Sequence, residues 1–150
     1  MKRIFSLAAA ALVLAGCCSN APKEAEAEAQ TTDEKALQYE SERFLSAETM
    51  GWQQLPDGTE RQVMGYNDDI MIVKVRCDAG EVGAIHSHPH TQVTYIISGA
   101  FDFTVAGETR TVKAGDCIYV APNLDHGFTC VESGCLTDCF SPMRETFVTK

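Results

Sequence analysis

The sequence is poor in basic residues. It contains 12 Lys and Arg against 21 Asp and Glu, which gives a formal net charge of −9. A strongly acidic surface repels the phosphate backbone of nucleic acids, so we expect no nucleic-acid partner. The acidic residues are spread along the chain rather than gathered in one block, and solubility is their simplest role.

The N-terminus also lacks a hydrophobic run long enough to cross a membrane as a helix. Its apolar stretch, residues 4–14, is shorter than the roughly 20 residues that such a helix needs. The stretch follows Met1-Lys2-Arg3 and ends in Leu14-Ala15-Gly16-Cys17. A basic start, a short apolar segment and small residues before the end are typical of a secretory signal, so we expect the protein to be exported.

The tetrapeptide at residues 14–17 resembles the lipobox of bacterial lipoproteins. The resemblance implies a signal peptide over residues 1–16 and a lipid on Cys17, with the chain anchored to a membrane of the bacterial cell envelope and its domain in the periplasm. A plain secretory signal without a lipid is the alternative. Residues 17–45, rich in Ala, Glu and Gln, are then predicted to be a flexible acidic tether, and residues 46–150 a single domain.

The domain lacks any long stretch with the 3.6-residue periodicity of an amphipathic helix. It consists instead of short apolar runs separated by Gly, Asn, Asp and Pro, which favour turns. This pattern predicts an all-β domain, either a barrel or a sandwich. The predicted strands are Thr59–Tyr66, Ile70–Cys77, Val93–Ser98, Phe101–Val105, Thr109–Val112, Cys117–Val120, Gly127–Val131 and Cys135–Phe140.

Five cysteines lie within the predicted domain, namely Cys77, Cys117, Cys130, Cys135 and Cys139. Residues 131–134 read as a turn, and a hairpin there would bring Cys130 and Cys135 close enough for a disulfide. Buried free thiols are the alternative for every one of them. We expect no cysteine catalysis.

The segment from Gly80 to Gly99 resembles the first cupin motif. Five residues after Gly80 come His86 and His88, then Gln92 after three more, and Gly99 after six more. The second cupin motif is matched by a glycine, a strand, Pro122 and His126. The resemblance implies a double-stranded β-helix, a jelly-roll-like barrel, with metal ligands at His86, His88, Gln92 and His126. Gln92 replaces the glutamate that is usual in this family.

The chemistry of these residues points the same way. Residues two apart in a strand face the same side, so His86 and His88 would converge, and a donor four residues further on would complete a local chelate. Three imidazoles and an amide oxygen suit one divalent ion such as zinc, nickel, manganese or iron(II). A wholly neutral ligand set leaves the ionic charge uncompensated, which favours Lewis acidity and an anionic substrate. His90 follows Pro89 and is interpreted either as a loop residue or as a neighbour of the site.

A closer resemblance covers most of the domain. Residues 86–92, 99–101, 113–116, 121–127 and 140–145 are similar to the pectin-degradation cupins of the KdgF type. The resemblance implies an isomerase-type enzyme that opens cyclic 4,5-unsaturated uronates, released by pectin or alginate lyases, into linear keto sugars. It also implies functional roles for Asp138, Phe140 and Arg144. A homodimer is expected by analogy with cupins alone.

The residues themselves allow those roles. Asp138 shares strand parity with two apolar neighbours, Leu136 and Phe140, so a carboxyl would face a partly dry pocket and could serve as a general acid or base. Arg144 could bind the uronate carboxylate through its planar fork. The rival hypothesis is a non-catalytic envelope protein that binds acidic sugars or other carboxylates through its metal. A cupin dioxygenase is a third possibility.

Overall fold

The computed structural model describes residues 37–149. The predicted signal peptide, the predicted lipidation site Cys17 and the predicted tether as far as residue 36 lie outside the described residues. Within them no helix is long and apolar enough to cross a membrane. The elements are β1 (Gln53–Gln54), β2 (Glu60–Asn67), β3 (Ile70–Cys77), β4 (Val82–His86), β5 (Thr91–Val105), β6 (Glu108–Lys113), β7 (Cys117–Val120), β8 (His126–Ser141) and a 3-10 turn (Glu145–Phe147).

All strand pairings are antiparallel, and two long strands organise them. The order β1-β2-β3-β8-β5-β6 forms the main path, while β4 pairs with β8 and β7 pairs with β5. The second half of β8 therefore joins a layer with β3, and its first half joins a layer with β4. Two layers that share β5 and β8 make the predicted all-β double-stranded β-helix, and that prediction is confirmed.

The core lies between the two layers. Along β3, Met71, Val73 and Val75 are buried while Ile70 and Ile72 are exposed. This alternation follows from the two-residue period of a strand, and it confirms the buried face that was predicted from the sequence. The buried apolar residues of the other strands complete the core, chiefly Ile96, Phe101, Phe103, Val120, Leu136 and Phe140.

Two predicted turns are wrong. Residues 98–99 and 131–134 do not end strands, because they lie inside the continuous strands β5 and β8. The pairing register of these strands shifts repeatedly between Ile96 and Phe101, where both bend from one layer to the other. Gly134 makes the crossing possible, since a Cβ there would lie against the backbone of Ser98 and Gly99. The glycines that suggested turns therefore permit a close approach of two strands.

The hairpin that would have paired Cys130 with Cys135 is accordingly absent, and both residues are free thiols. Cys130 is buried and its Sγ lies 3.6 Å from the carbonyl oxygen of Cys77. Burial raises the pKa of the Cys77 and Cys135 thiols, which disfavours the reactive thiolate. These surroundings fit the interpretation of Cys77 and Cys130 as buried structural thiols.

The last residues of the predicted tether lie against the domain. The backbone N–H groups of Gln38 and Tyr39 donate to the carboxylate of Asp68 at 2.9 and 2.7 Å. Glu40 forms a bridge with Asn67, and Tyr39 packs against the core. Ordered structure thus begins before residue 46 in the described part of the chain, because the turn after β2 supplies hydrogen-bond acceptors to it.

Candidate metal centre

Three strand ends bring the predicted metal ligands together. His86 is the last residue of β4 and His126 the first of β8, and the two are directly opposite one another in the β4–β8 pairing. Gln92 is the second residue of β5. His88 lies in the loop between β4 and β5 rather than in a strand, and its backbone oxygen accepts a hydrogen bond from Asn123. The alternation of side chains along a strand therefore does not by itself explain the orientation of His88.

The potential ligand atoms of His86, His88 and His126 all lie within 4.8 Å of one another. Gln92 completes the group, because its Oε1 is 2.9 Å from His88 Nε2 and 3.1 Å from His126 Nε2. His88, Gln92 and His126 are buried at 7%, 4% and 1% exposure, whereas His86 is exposed. The four residues predicted as ligands thus form one compact group at the mouth of the barrel.

The hydrogen bonds of His86 and His126 leave the Nε2 atom of each ring with a lone pair that can bind a cation. His86 Nδ1 and His126 Nδ1 each lie 2.8 Å from a backbone oxygen, of Ala84 and Leu124 respectively, and a ring nitrogen must donate its proton there. Neutral His126 then carries a lone pair on Nε2, facing the Gln92 oxygen. Two acceptors at this distance repel unless a proton or a cation lies between them, so the donor set fits a divalent ion.

Burial keeps the imidazoles of His88 and His126 neutral. It lowers the pKa of His88 to about 4, opposed in part by the hydrogen bond with Gln92, and it also lowers the pKa of His126. A metal ligand must be deprotonated, and a lowered pKa satisfies that condition at neutral pH. The electrostatics of the site therefore favour metal binding over a cluster of protonated histidines.

Asp138 is connected to this group through Gln92. Its Oδ1 accepts hydrogen bonds from Thr94 Oγ1 at 2.5 Å and from Gln92 Nε2 at 3.0 Å. Thr94 and Asp138 are opposite each other in the β5–β8 pairing, which fixes the contact. Burial raises the pKa of the Asp138 carboxyl to about 6, although both hydrogen bonds oppose the rise. A carboxyl with such a pKa can both accept and donate a proton near neutral pH.

The centre opens into a cavity of about 290 Å³. His86, Gln92, His126, Asp138, Phe140 and Arg144 all contribute to its lining. Phe140 is 2% exposed and packs edge-on against His88, so it belongs both to the core and to the cavity wall. The Arg144 guanidinium lies 5.2 Å from the centroid of the Phe140 ring. The structure thus brings Asp138, Phe140 and Arg144 to one cavity beside the four predicted ligands.

Sequence reasoning missed Thr94, which contacts Asp138, and two residues that line the cavity. Thr94 shares the parity of Gln92 on β5, so the two-residue period could have identified it. Arg61 of β2 and Phe147 of the 3-10 turn contribute to the lining. Neither belongs to a motif, and only the folding of the chain places them near the histidines.

His90 is not among the residues that line the cavity. Its ring centroid is 5.3 Å from that of His88, and it borders a separate depression formed with Pro142 and Met143. Burial lowers the pKa of its imidazole. His90 therefore packs behind His88 and does not face a ligand in the cavity.

Comparison with known proteins agrees with this architecture. Residues 73–136 match the cupin domain family. The chain is 37% identical over 107 residues to the pectin degradation protein KdgF of Dickeya dadantii (strain 3937), which covers 70% of this chain and 96% of that protein.

Two solved structures are similar along nearly their whole length. An RmlC-like cupin from Shewanella frigidimarina NCIMB 400 is 40% identical with a TM-score of 0.70, over 72% of this chain and 97% of that one. KdgF from a Halomonas species is 31% identical with a TM-score of 0.68, over 71% and 99% of the two chains. The chain is therefore a cupin and belongs to the family of the pectin degradation protein KdgF.

Proposed function

We propose that this protein is an isomerase-type enzyme that converts cyclic 4,5-unsaturated uronates to linear keto sugars. The observation that carries the proposal is the hydrogen bond from Gln92 to Asp138, which joins a candidate metal centre to an acid–base group in one cavity. The relative from Dickeya dadantii is named a pectin degradation protein, which supports an activity on pectin-derived uronates. Alginate-derived uronates are the second substrate class within the proposal.

The proposed metal ligands are His86, His88, Gln92 and His126. A bound divalent ion would polarise a substrate oxygen as a Lewis acid. The neutral ligand set and the fixed Nδ1–H tautomers of His86 and His126 orient the imidazoles for this purpose. Elemental analysis of the purified protein will identify the divalent ion.

Ring opening requires two proton movements. Asp138 takes the proton of the anomeric hydroxyl, the ring C–O bond at the anomeric carbon breaks, and the electron pair passes to the ring oxygen. The products are an aldehyde and an enolate, which takes one proton on carbon to become the keto form. Asp138 returns that proton, so the reaction is an isomerisation without gain or loss of atoms. A positioned acid–base group typically accelerates such steps by about 10²- to 10⁴-fold.

Thr94 and Gln92 hold Asp138 for this role. Both donate to Oδ1, and neither hydrogen bond involves Oδ2. Arg144 is half-buried in the cavity and is proposed to bind the uronate carboxylate, while Phe140 supplies an apolar wall for the sugar ring.

The test mixes the metal-loaded protein with an unsaturated uronate monomer and follows the ultraviolet absorbance of its double bond. We expect the absorbance to fall faster than in a protein-free control. An unchanged rate would reject the enzyme, and binding of the sugar without turnover would establish the rival function, a protein that captures acidic sugars. Pectin-derived and alginate-derived monomers, assayed side by side, would rank the two substrate classes.

We also propose that Cys17 carries a lipid that anchors the protein to a membrane of the cell envelope, with the domain in the periplasm. The proposal rests on the lipobox-like sequence at residues 14–17. The full-length chain, expressed in a bacterium, should partition into the detergent phase, and Cys17→Ser should remain in the aqueous phase. Equal partitioning of the two chains would reject the lipid.

A further inference from the structure

Two arginines lie on Phe147 beside the cavity. The guanidinium carbon of Arg61, on β2, is 3.7 Å from the centroid of the Phe147 ring, and that of Arg144 is 4.3 Å from it. All three residues line the cavity that the candidate metal centre borders. One end of the cavity therefore carries two positive charges on a common aromatic support.

Neither arginine has an anionic hydrogen-bond partner among residues 37–149. The ion pairs of that part of the chain are Arg76 with Glu60 and Arg110 with Glu108. Arg61 donates from Nη2 to the neutral amide oxygen of Gln53 at 2.8 Å. The Nε atoms of Arg61 and Arg144 are both buried and lack a hydrogen-bond partner within the described chain. Buried, unpaired N–H groups on cations are costly unless a ligand satisfies them.

The charges of the two arginines also oppose one another. Burial lowers the pKa of both guanidinium groups, and the charge of Arg61 lowers that of Arg144 further. Asp138 attracts Arg144, but its Oδ1 is engaged by Thr94 and Gln92. A small anion at this end of the cavity would satisfy both N–H groups and relieve the repulsion. A carboxylate matches the planar fork of a guanidinium.

We propose that Arg61 binds the substrate carboxylate together with Arg144 and thereby makes the cavity selective for uronates over neutral sugars. The proposal rests on the proposed function and adds a specificity-determining residue to it. Arg61 lies 25 residues before His86, the first histidine of the centre, on a strand that contributes no proposed metal ligand. Its role is to hold the substrate, and it takes no part in proton transfer.

The test compares an unsaturated uronate with its uncharged methyl ester in wild type and in Arg61→Gln. A charge-assisted hydrogen bond is worth about 10- to 100-fold in affinity, so we expect KM for the acid to rise by about that factor, with a smaller change in kcat. KM for the ester should change less than threefold. Arg110→Gln is the matched control, because Arg110 is exposed and lies outside the cavity, and its acid-to-ester selectivity should equal that of wild type.

The outcomes separate this proposal from the proposed function. Unchanged acid-to-ester selectivity in an active Arg61→Gln variant would overturn the role of Arg61 and leave the enzyme intact. Absence of turnover in wild type would instead reject the enzyme. Calorimetry with D-galacturonate and its methyl ester then decides on Arg61: a tenfold or greater loss of acid binding in Arg61→Gln supports it, and equal affinity, or no binding by wild type, overturns it.

A thermal melt of each variant accompanies these assays, because Arg61 also packs on Phe147. If Arg61→Gln unfolds below the assay temperature, Arg61→Lys takes its place. Lysine keeps the charge and the stem but loses the planar fork, and we expect at least a fivefold fall in acid-to-ester selectivity. Wild-type selectivity in a folded Arg61→Lys variant would overturn the proposal.

Discussion

Replacing Asp138 by Asn should separate acid–base chemistry from structure. Oδ1 of Asp138 accepts from Thr94 at 2.5 Å and from Gln92 at 3.0 Å. An asparagine can keep its carbonyl oxygen in that position and turn its amide towards the cavity, so both buried donors stay paired. The free energy of unfolding should therefore change by less than about 1 kcal/mol. An amide cannot exchange the proton, and the rate should fall by about 10²- to 10⁴-fold, or about 3–5 kcal/mol in barrier.

Alanine at the same position would be a less informative change. It would leave the Thr94 hydroxyl and the Gln92 amide without an acceptor, at about 1–3 kcal/mol for each unpaired donor. A fall in rate could then come from movement of Gln92, which is a proposed metal ligand. The asparagine variant avoids this because the acceptor remains in place.

The assay combines three measurements on the asparagine variant: double-bond absorbance for the rate, elemental analysis for bound metal and a thermal melt for stability. Asp102→Asn is the matched control, because Asp102 also accepts a threonine hydroxyl, from Thr111 at 2.6 Å, but lies outside the cavity. The control should keep the wild-type rate. A fully active, metal-loaded Asp138→Asn variant would refute the acid–base assignment.

Three further predictions concern the metal and the fold. Removal of metal by a chelator should lower the melting temperature by about 10 °C or more if the ion was present at a hundred times its Kd. The His126→Ala variant should melt at the same temperature with and without chelator, and a wild-type protein that does not respond to the chelator would contradict a metal centre. Gly134→Ala should destabilise the fold by about 3 kcal/mol or more, since its Cβ would meet the backbone of β5. Gly51→Ala, which has open space around it, should change the free energy of unfolding by less than about 0.5 kcal/mol, and equal melting temperatures for the two variants would show that the strand crossing can relax. Phe101→Ala removes a side chain with 0% exposure and should cost about 3–5 kcal/mol in urea unfolding, and a loss below about 1 kcal/mol would place Phe101 outside the core.

Much of the barrel was predictable because its signals are local. The alternation of Met71, Val73 and Val75 with exposed neighbours needs only the geometry of a single strand. The spacing of His86, His88 and Gln92 likewise places three proposed ligands within seven residues, so a chelate could be predicted before any fold was known. The position of Asp138 at a pocket was predicted because it shares a strand face with Leu136 and Phe140, and its role remains a prediction from resemblance to KdgF-type cupins.

The two turns were predicted wrongly because the conformation at these glycines depends on a distant strand. A glycine that permits a turn and a glycine that permits a close approach have the same sequence signature, and Gly134 is of the second kind. Which kind applies depends on a partner strand about 35 residues earlier in the chain. The disulfide that a hairpin at residues 131–134 would have allowed between Cys130 and Cys135 is absent for the same reason.

The sequence by itself determined the spacing of the proposed metal ligands, the all-β character and the charge of the chain, because each depends only on residue spacing or composition. The tertiary structure alone decided that Thr94 faces Asp138 and that Arg61 and Arg144 share Phe147. Thr94 and Asp138 are 44 residues apart, and Arg61 and Phe147 are 86 residues apart. Pairing of β5 with β8 and the placement of β2 create them, and no local periodicity encodes which distant side chains will meet across a barrel.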